Sequence, residues 1–320
     1  MTSPLFQCVP NLSEGRRPEV MQALADCVRT VPGVALVDHS SDPDHNRMVL
    51  TMIGPDDALE RAVLQLYHEA DRWLNVHQHQ GAHPRIGAVD VVPFVPVWGA
   101  TMEQAVALAH RVGRRVADEL QVPVFFYAEA AQKADYRSLA WLRRGQLPGL
   151  QGDLEVERRP DAGPPVLHSR LGATAVGARR PLIAYNVVLD TADLTVAREV
   201  ARRVRESSGG LKHLQAMGVL LEQRGRAQVS MNLLDPDRTS LYTAFEMVKM
   251  EARRFGVSVL DSEIVGLTPL EAVVEVARYY LQLPRLRSTQ VLEAQLLSLH
   301  SRHRTPELVP PGPEGPGGKG

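Results

Sequence analysis

Three histidines fall within seven positions of this chain, His77, His79 and His83, inside the run H-Q-H-Q-G-A-H-P-R-I-G-A-V-D-V-V-P-F-V-P-V that closes at Val97. An imidazole titrates near neutrality, so it can accept a proton and return it within one turnover. His83 is the best placed of the three. Gly81 lets the backbone turn, Pro84 fixes the chain just past His83, and Val89 to Val97 reads as a buried strand. The ring then sits on a stiff loop at a strand's mouth, with Arg85 and Asp90 nearby to supply charge of either sign. The same spacing admits two other readings. A histidine in a turn also serves as an ordinary surface or hydrogen-bonded residue. His77 and His79 share a face of an extended segment, and with His83 and His39, His45 or Asp44 they could hold the metal ion of a hydrolase, although no third ligand has a fixed spacing.

Other polar positions stand out against apolar patterns. Between Ala227 and Leu234, Val229, Met231 and Leu233 alternate with Gln228, Ser230 and Asn232, which gives a strand one apolar face and one hydrogen-bonding face. Such a polar face meets either water or a ligand. Asn186 interrupts the apolar strand Leu182 to Leu189, and its amide must bond either nearby backbone or a ligand. Gly172, Gly177 and Arg179 superficially resemble a phosphate loop, but the G-K-S/T ending is missing. No G-x-G-x-x-G opens a helix either, so a dinucleotide fold has no support.

The elements that position these residues follow from periodicity. A strand at 5–9, a polar turn and a helix at Pro18 to Val28 come first, then strands at Val34 to Asp38 and Met48 to Ile53 around the loop S-S-D-P-D-H-N-R. A second helix after Pro55-Asp56 puts Leu59, Val63, Leu66 and Ala70 on one face. Thr101 with Gln104 forms a capping box for a third, whose apolar face is Ala105, Leu108, Val112 and Val116; Val122 to Tyr127 reads as a further strand. From about Glu129 to Arg170 the pattern weakens into what reads as a connection between domains, one able to line a site. Strands at Leu182 to Leu189, Leu211 to Glu222, Ala227 to Leu234 and Ser258 to Val265, with helices from about Asp193 and Thr239, then give the order βαββαβ. The first six elements of the chain have that order too. The expected fold is α+β: two α/β subdomains, at 1–178 and 179–300, each a mixed or antiparallel sheet with helices on one face, the C-terminal one ferredoxin-like. Amphipathic helices at Pro269 to Leu283 and Gln290 to His300 follow, and 301–320 is a Pro/Gly-rich tail expected to be disordered.

Composition narrows the class. The 320 residues are about two average domains. With 36 basic against 37 acidic side chains there is no global field to draw nucleic acid or membrane, so an acidic ligand must be met by local Arg and Lys. Two cysteines, Cys8 and Cys27, are too few for a disulfide scaffold or a Cys-based zinc site and suit a reducing cytoplasm. The N-terminus lacks the features of a signal peptide, and no apolar run is long enough for a bilayer. Ferredoxin-like units also occur in ligand-sensing modules without activity, a reading that leaves the charged loops unexplained.

The segment G-A-H-P-R-I-G-A-V-D-V-V-P-F resembles the central motif G-E-H-P-R-x-G-x-x-D-V-x-P-F of glutamate formimidoyltransferases (formiminotransferases). Further blocks agree in order: C-V-P-N-L-S-E-G-R from Cys8, D-H-N-R from Asp44, D-A-G-P from Asp161, G-A-T-A-V-G-A-R from Gly172, A-Y-N-V from Ala184 and Q-V-S-M-N-L-L-D from Gln228. Together they span roughly residues 5 to 285. The resemblance implies transfer of a formimino group from N-formimino-L-glutamate to N5 of tetrahydrofolate in histidine degradation, giving 5-formimidoyltetrahydrofolate and glutamate. Formyl exchange between 5-formyltetrahydrofolate and glutamate is the neighbouring alternative. The family's catalytic histidine falls on His83, as base toward N5 and then acid toward the leaving nitrogen, with no metal.

Both substrates carry carboxylates, which arginine binds in bidentate fashion. Arg47, Arg85 and Arg179 lie in the matched motifs and are candidates for that role, with Asp90, Asn186 and Asn232 as further substrate contacts. The family's folate-contacting segment maps onto Gly163, Pro164, Pro165, Val166, Leu167, His168, Ser169, Arg170, Leu171 and Gly172. The resemblance also implies a groove between the two units and a homodimer. The chain ends too soon for the cyclodeaminase domain of some relatives, so the expectation is a monofunctional enzyme passing its product to a separate cyclodeaminase. Ala82 stands where the family has Glu and Ala162 where it has Phe, which puts the rate and the substrate in question more than the fold.

Overall fold

The computed structural model describes residues 3–43, 45–81, 84–222 and 224–303, with side chains as far as 299. Among them, a seven-stranded sheet organises the first half. β1 (Leu5–Cys8) and β2 (Asn11–Leu12) are two halves of one strand broken at Val9-Pro10, where proline cannot donate to a ladder. Both halves lie between β4 (Arg47–Gly54) and β5 (Val89–Trp98), and β3 (Ala35–Asp42) pairs with the far side of β4. With α1 (Pro18–Arg29) and α2 (Asp56–Trp73) these form the expected βαββαβ unit. β3 and β4 run longer than their apolar cores predict. Ser40 and Ser41 belong to the strand, which among the described residues pairs only with β4 and is exposed or half-exposed along its whole length.

Periodicity placed the helices well. Leu59, Val63, Leu66 and Ala70 of α2 are fully buried, each large side chain contributing about 1.5–3 kcal/mol of burial. α3 (Met102–Leu120) opens on the expected reciprocal cap between Thr101 and Gln104 and buries Ala105, Leu108, Val112 and Val116 against the sheet. It leads to β6 (Val124–Ala128).

Two features correct the sequence reading. The segment G-A-T-A-V-G-A, given no element by periodicity, contains a strand: β7 (Thr174–Ala178) lies between β5 and β6 and parallel to both. The stretch after β6 is not a bare connection. It forms a 3-10 turn at Ala134–Arg137, α4 (Leu139–Leu142) and α5 (Gln146–Asp153), and Tyr136, Leu142, Leu150 and Leu154 pack on Val91, Phe125, Tyr127 and Ala175. That is the sheet face opposite α1, α2 and α3. Arg158 locks the layer: 1% exposed, it bonds Asp153 through Nε and Nη2, and its Nη1 donates to the carbonyls of Leu142 and Arg144.

The second half is an antiparallel four-stranded sheet in the order β11-β8-β10-β9, the ferredoxin-like arrangement. Its strands are β8 (Ile183–Leu189), β9 (Leu214–Leu221), β10 (Arg226–Leu233) and β11 (Val259–Val265), with α6 (Leu194–Val204) and α7 (Leu241–Arg253) over one face. Val229, Met231 and Leu233 are buried there as the alternation demands. α8 (Leu270–Tyr280) and α9 (Leu292–His303) close the chain, and 304–320, most of the expected tail, lies outside the described residues. The two halves approach each other where Gly266, just past β11, comes near Asp38 of β3.

Candidate functional site

Three loops from the first sheet converge at one end of β5. They are the segment after β2, the β3–β4 turn, and the loop between α2 and β5 that carries the histidines. Asn46 ties them together. Its Oδ1 accepts from Gly15 N at 2.8 Å, its Nδ2 donates to Gln80 O at 2.9 Å, and its carbonyl accepts from His79 Nε2 at 2.7 Å. Asn46 sits at φ 48°, a left-handed conformation that Asn tolerates better than most residues. Gly81 is needed for a different reason from the one its sequence position suggests. Its φ is not left-handed, but a Cβ there would lie 2.3 Å from the His45 carbonyl, so glycine permits close approach of the two loops. Asp44, Ala82 and His83 lie outside the described residues.

Asn11, Leu12, Ser13, His45, Asn46, Arg47, His79, Arg85 and Asp90 line a narrow crevice, too tight in this structure to admit a water molecule. A larger hollow between α7 and β11, lined by Lys249, Arg253 and Asp261, holds none of the candidate residues. Within the crevice Asp90 is 2% exposed. Its Oδ1 accepts from Ile86 N at 2.7 Å and its Oδ2 is ion-paired with Arg143, so this carboxylate braces the loop. Arg85 is likewise drawn inward, its guanidinium donating to the carbonyls of Gly81 and His79 at 3.2 and 2.5 Å. Arg47 bonds Asn11 Oδ1 through Nη2. Burial and the like charge of Arg143 pull the Arg47 guanidinium down to about 10 against the pull of Asp90 and Asp42, so it remains a cation at pH 7. Buried atoms without a partner among the described residues include Nε of Arg47, Nε of Arg143 and Nδ1 of His79. Arg143 was not legible as a site residue, since it lies more than fifty positions from Asp90 in sequence and no local motif marks it.

Glu14 anchors the first loop. Burial alone would raise its carboxyl, but the N–H groups of Arg16 and Arg17 and the Arg17 side chain outweigh that and hold it below its ordinary value. A depressed carboxylate adds stability that is present above its unfolded value, about 4.3, and lost as pH falls through the folded one. Glu14→Gln is therefore less stable than the native chain at pH 7 by thermal unfolding. The gap closes as pH drops below the ordinary glutamate range; a pH-independent gap would mean that the charge is not what matters.

The segment proposed for folate divides in two. Residues 167–172 dock on the site. His168 and Gly172 exchange backbone hydrogen bonds, Leu171 O accepts from Ala88 N, Arg170 O accepts from Val76 N, and the Arg170 guanidinium donates to the carbonyls of Asp71 and Arg72. His168 Nδ1 accepts from the N–H groups of Arg170 and Leu171, and burial lowers its pKa, so the ring is neutral. Gly163, with Pro164 and Pro165 after it, belongs to the edge beside β6: a Cβ on Gly163 would lie 2.7 Å from the Val122 carbonyl. Val166 and Ser169 are exposed.

The remaining candidates lie elsewhere. Arg179 follows β7 beside Phe94, about 16 Å along the strand from Asp90, where it is bonded to Tyr127 and lowered in pKa by burial. Asn186 and Asn232 are on the uncovered face of the second sheet, where Asn186 donates to Glu263 rather than to backbone. His77 and His79 do not converge on a common point: His77 Nε2 bonds the His168 carbonyl and His79 Nε2 that of Asn46. Among the described residues no group of three or more His, Cys, Asp or Glu side chains is placed to hold a metal ion.

Comparison with known proteins bears on what this geometry serves. The profile described as formiminotransferase domain, N-terminal subdomain, matches residues 5–179, and that described as formiminotransferase domain matches residues 184–300. A glutamate formimidoyltransferase of Streptococcus pyogenes is 43% identical over 92% of this chain and 99% of its own. One from Thermoplasma acidophilum is 39% identical over 91% of this chain and 97% of its own. The formimidoyltransferase-cyclodeaminase of Sus scrofa is 41% identical over 87% of this chain, which spans 52% of that longer protein.

Proposed function

The chain belongs to the formiminotransferase family, and on that premise we propose that it moves the formimino group of N-formimino-L-glutamate to N5 of tetrahydrofolate, as a step of histidine degradation. N5 attacks the amidine carbon, the bond from that carbon to the glutamate nitrogen breaks, and the products are 5-formimidoyltetrahydrofolate and glutamate. N5 must lose a proton and the glutamate nitrogen must gain one, a pair of transfers that a single imidazole performs in turn. In this reading His83 is that group.

The observation that carries the reading is the group of guanidinium groups beside the G-A-H-P-R motif: Arg47 and Arg85 line the crevice there, and Arg143 pairs with its Asp90. Arg47 and Arg143 each keep a buried Nε without a partner among the described residues, and two carboxylates, Asp90 and Asp42, act on Arg47. Three guanidinium groups against two carboxylates favour an incoming anion, as a donor with carboxylates requires. Arg143 joins Arg47 and Arg85 as a candidate for this role. Tetrahydrofolate is the co-substrate, placed along 167–172, and no resident metal takes part. We further take the enzyme to be a cytoplasmic homodimer, supported by exposed apolar side chains such as Leu281, Leu292 and Leu297 on the C-terminal helices, that passes its product to a separate cyclodeaminase. The two domains of this reading are 1–178 and 179–300.

The test is a spectrophotometric assay of the purified protein with tetrahydrofolate and N-formimino-L-glutamate, with and without a chelator. Turnover that ignores the chelator is the expected result. Turnover abolished by the chelator would return the histidine-rich loop to the metal reading, and absence of turnover with retained tetrahydrofolate binding would make the chain a binding module.

A further inference from the structure

We propose that His168 is a positioning residue for tetrahydrofolate: its unprotonated ring holds the turn 168–172 in the shape that binds this ligand. The inference rests on the function proposed above and deepens it. Backbone closes the base of the turn, His168 N donating to the Gly172 carbonyl at 2.9 Å and Gly172 N to that of His168 at 3.0 Å. The side chain braces the tip. His168 Nδ1 accepts from the N–H groups of Leu171 and Arg170 at 3.0 and 3.3 Å. The carbonyls of those two residues accept from elsewhere, that of Leu171 from Ala88 N at 2.9 Å and that of Arg170 from Val76 N at 2.8 Å, and Ala173 N reaches the Ile86 carbonyl at 2.9 Å. The turn is thereby set against residues 86–88, the stretch that leads from the G-A-H-P-R motif into β5.

A ring nitrogen that accepts carries no proton, so the one proton of the neutral imidazole lies on Nε2. A second proton would place an N–H on Nδ1 facing two others, which removes both hydrogen bonds and leaves two backbone donors unpaired. The charged and titratable groups around the ring are Asp71 of α2, His77 of the loop after it and Arg170 of the turn. Burial is the largest influence and, with Arg170 and His77, outweighs Asp71, so the ring sits below its ordinary 6.5. Opening the turn returns the ring to that ordinary value. The closed form is therefore fully favoured above about 6.5 and gives way as pH falls through the lower value, and a ligand that needs it loses affinity by up to about tenfold per pH unit.

The experiment is a calorimetric titration of tetrahydrofolate in oxygen-free buffer, at about pH 7.5 and about pH 5.5, into the native protein, His168→Asn and His168→Phe. Asparagine offers a carbonyl oxygen to the same N–H groups, as it does in Asx turns, and does not titrate. Phenylalanine keeps a ring of similar bulk without an acceptor. The expected result at the higher pH is a Kd raised about tenfold or more in His168→Phe, with most of that loss recovered in His168→Asn. Between the two pH values the native Kd weakens at least about threefold more than that of His168→Asn, which lacks the titrating group. That comparison stands by itself if His168→Phe fails to fold. A native Kd in a folded His168→Phe protein, or the same pH dependence in the native and His168→Asn proteins, would overturn the inference while leaving the proposed function standing. A native protein that binds no tetrahydrofolate would remove the proposed function itself, and this inference with it.

Discussion

Replacing Asp90 with alanine lowers the unfolding free energy by about 3–5 kcal/mol, the cost of removing one partner from a buried ion pair. Both side chains of the pair are shielded, Arg143 at 13% and Asp90 at 3% exposure, so solvent cannot take over the role of the lost carboxylate. The substitution also strands the N–H of Ile86, which Asp90 Oδ1 satisfies, and leaves the Arg143 and Arg47 cations facing each other with less to offset them. Arg143→Met behaves differently. It removes a cation of comparable length and leaves Asp90 with Arg47 still close by, so its stability loss is smaller while KM for the donor rises. Denaturant unfolding of the two variants side by side checks this. An Asp90→Ala protein within about 1 kcal/mol of native would mean that the pair is solvated and does not brace the loop.

The Asp90–Arg143 pair also marks where sequence reasoning stopped. Asp90 stands in a matched motif that suggests a substrate contact, and its partner Arg143 reaches it through a layer that carries no strong periodicity. That layer read as a connection because its helices are short and its order depends on tertiary contacts, above all on Arg158 clamping the carbonyls on either side of Arg143. β7 escaped detection for a related reason. T-A-V-G-A is poor in the β-branched and aromatic residues that announce a strand, yet small residues are what its position admits, since a Cβ at Gly177 would lie 2.5 Å from the Tyr127 ring. By contrast α2, α3, α6, α7, β8 and β10 were legible, because each buries one face with a regular period. Arg85 is a staple for loop carbonyls and Gly81 a point of close approach, and neither role is written in a local motif.

His83→Ala lowers kcat by about 10²–10⁴-fold with little change in thermal stability, the loss expected for a general acid and base. The described residues that flank it on either side are fixed in place. Gly81 is wedged against the His45 carbonyl, and Arg85 donates to two carbonyls upstream of it. Ile86 N–H is fixed by Asp90, and Ala88 N–H by Leu171 of the segment assigned to tetrahydrofolate. A base must be held within hydrogen-bond reach of the proton it removes, and misplacement by about 1 Å costs on the order of 100-fold. The described residues on both sides of it are anchored in the way that such a placement needs. The readout is kcat and KM for each substrate together with thermal unfolding: kcat falls, KM for tetrahydrofolate stays within a few-fold, and the melting curve holds. If His83→Ala keeps kcat within tenfold of native, the proton passes through another group, and the neutral ring of His79 becomes the base to test.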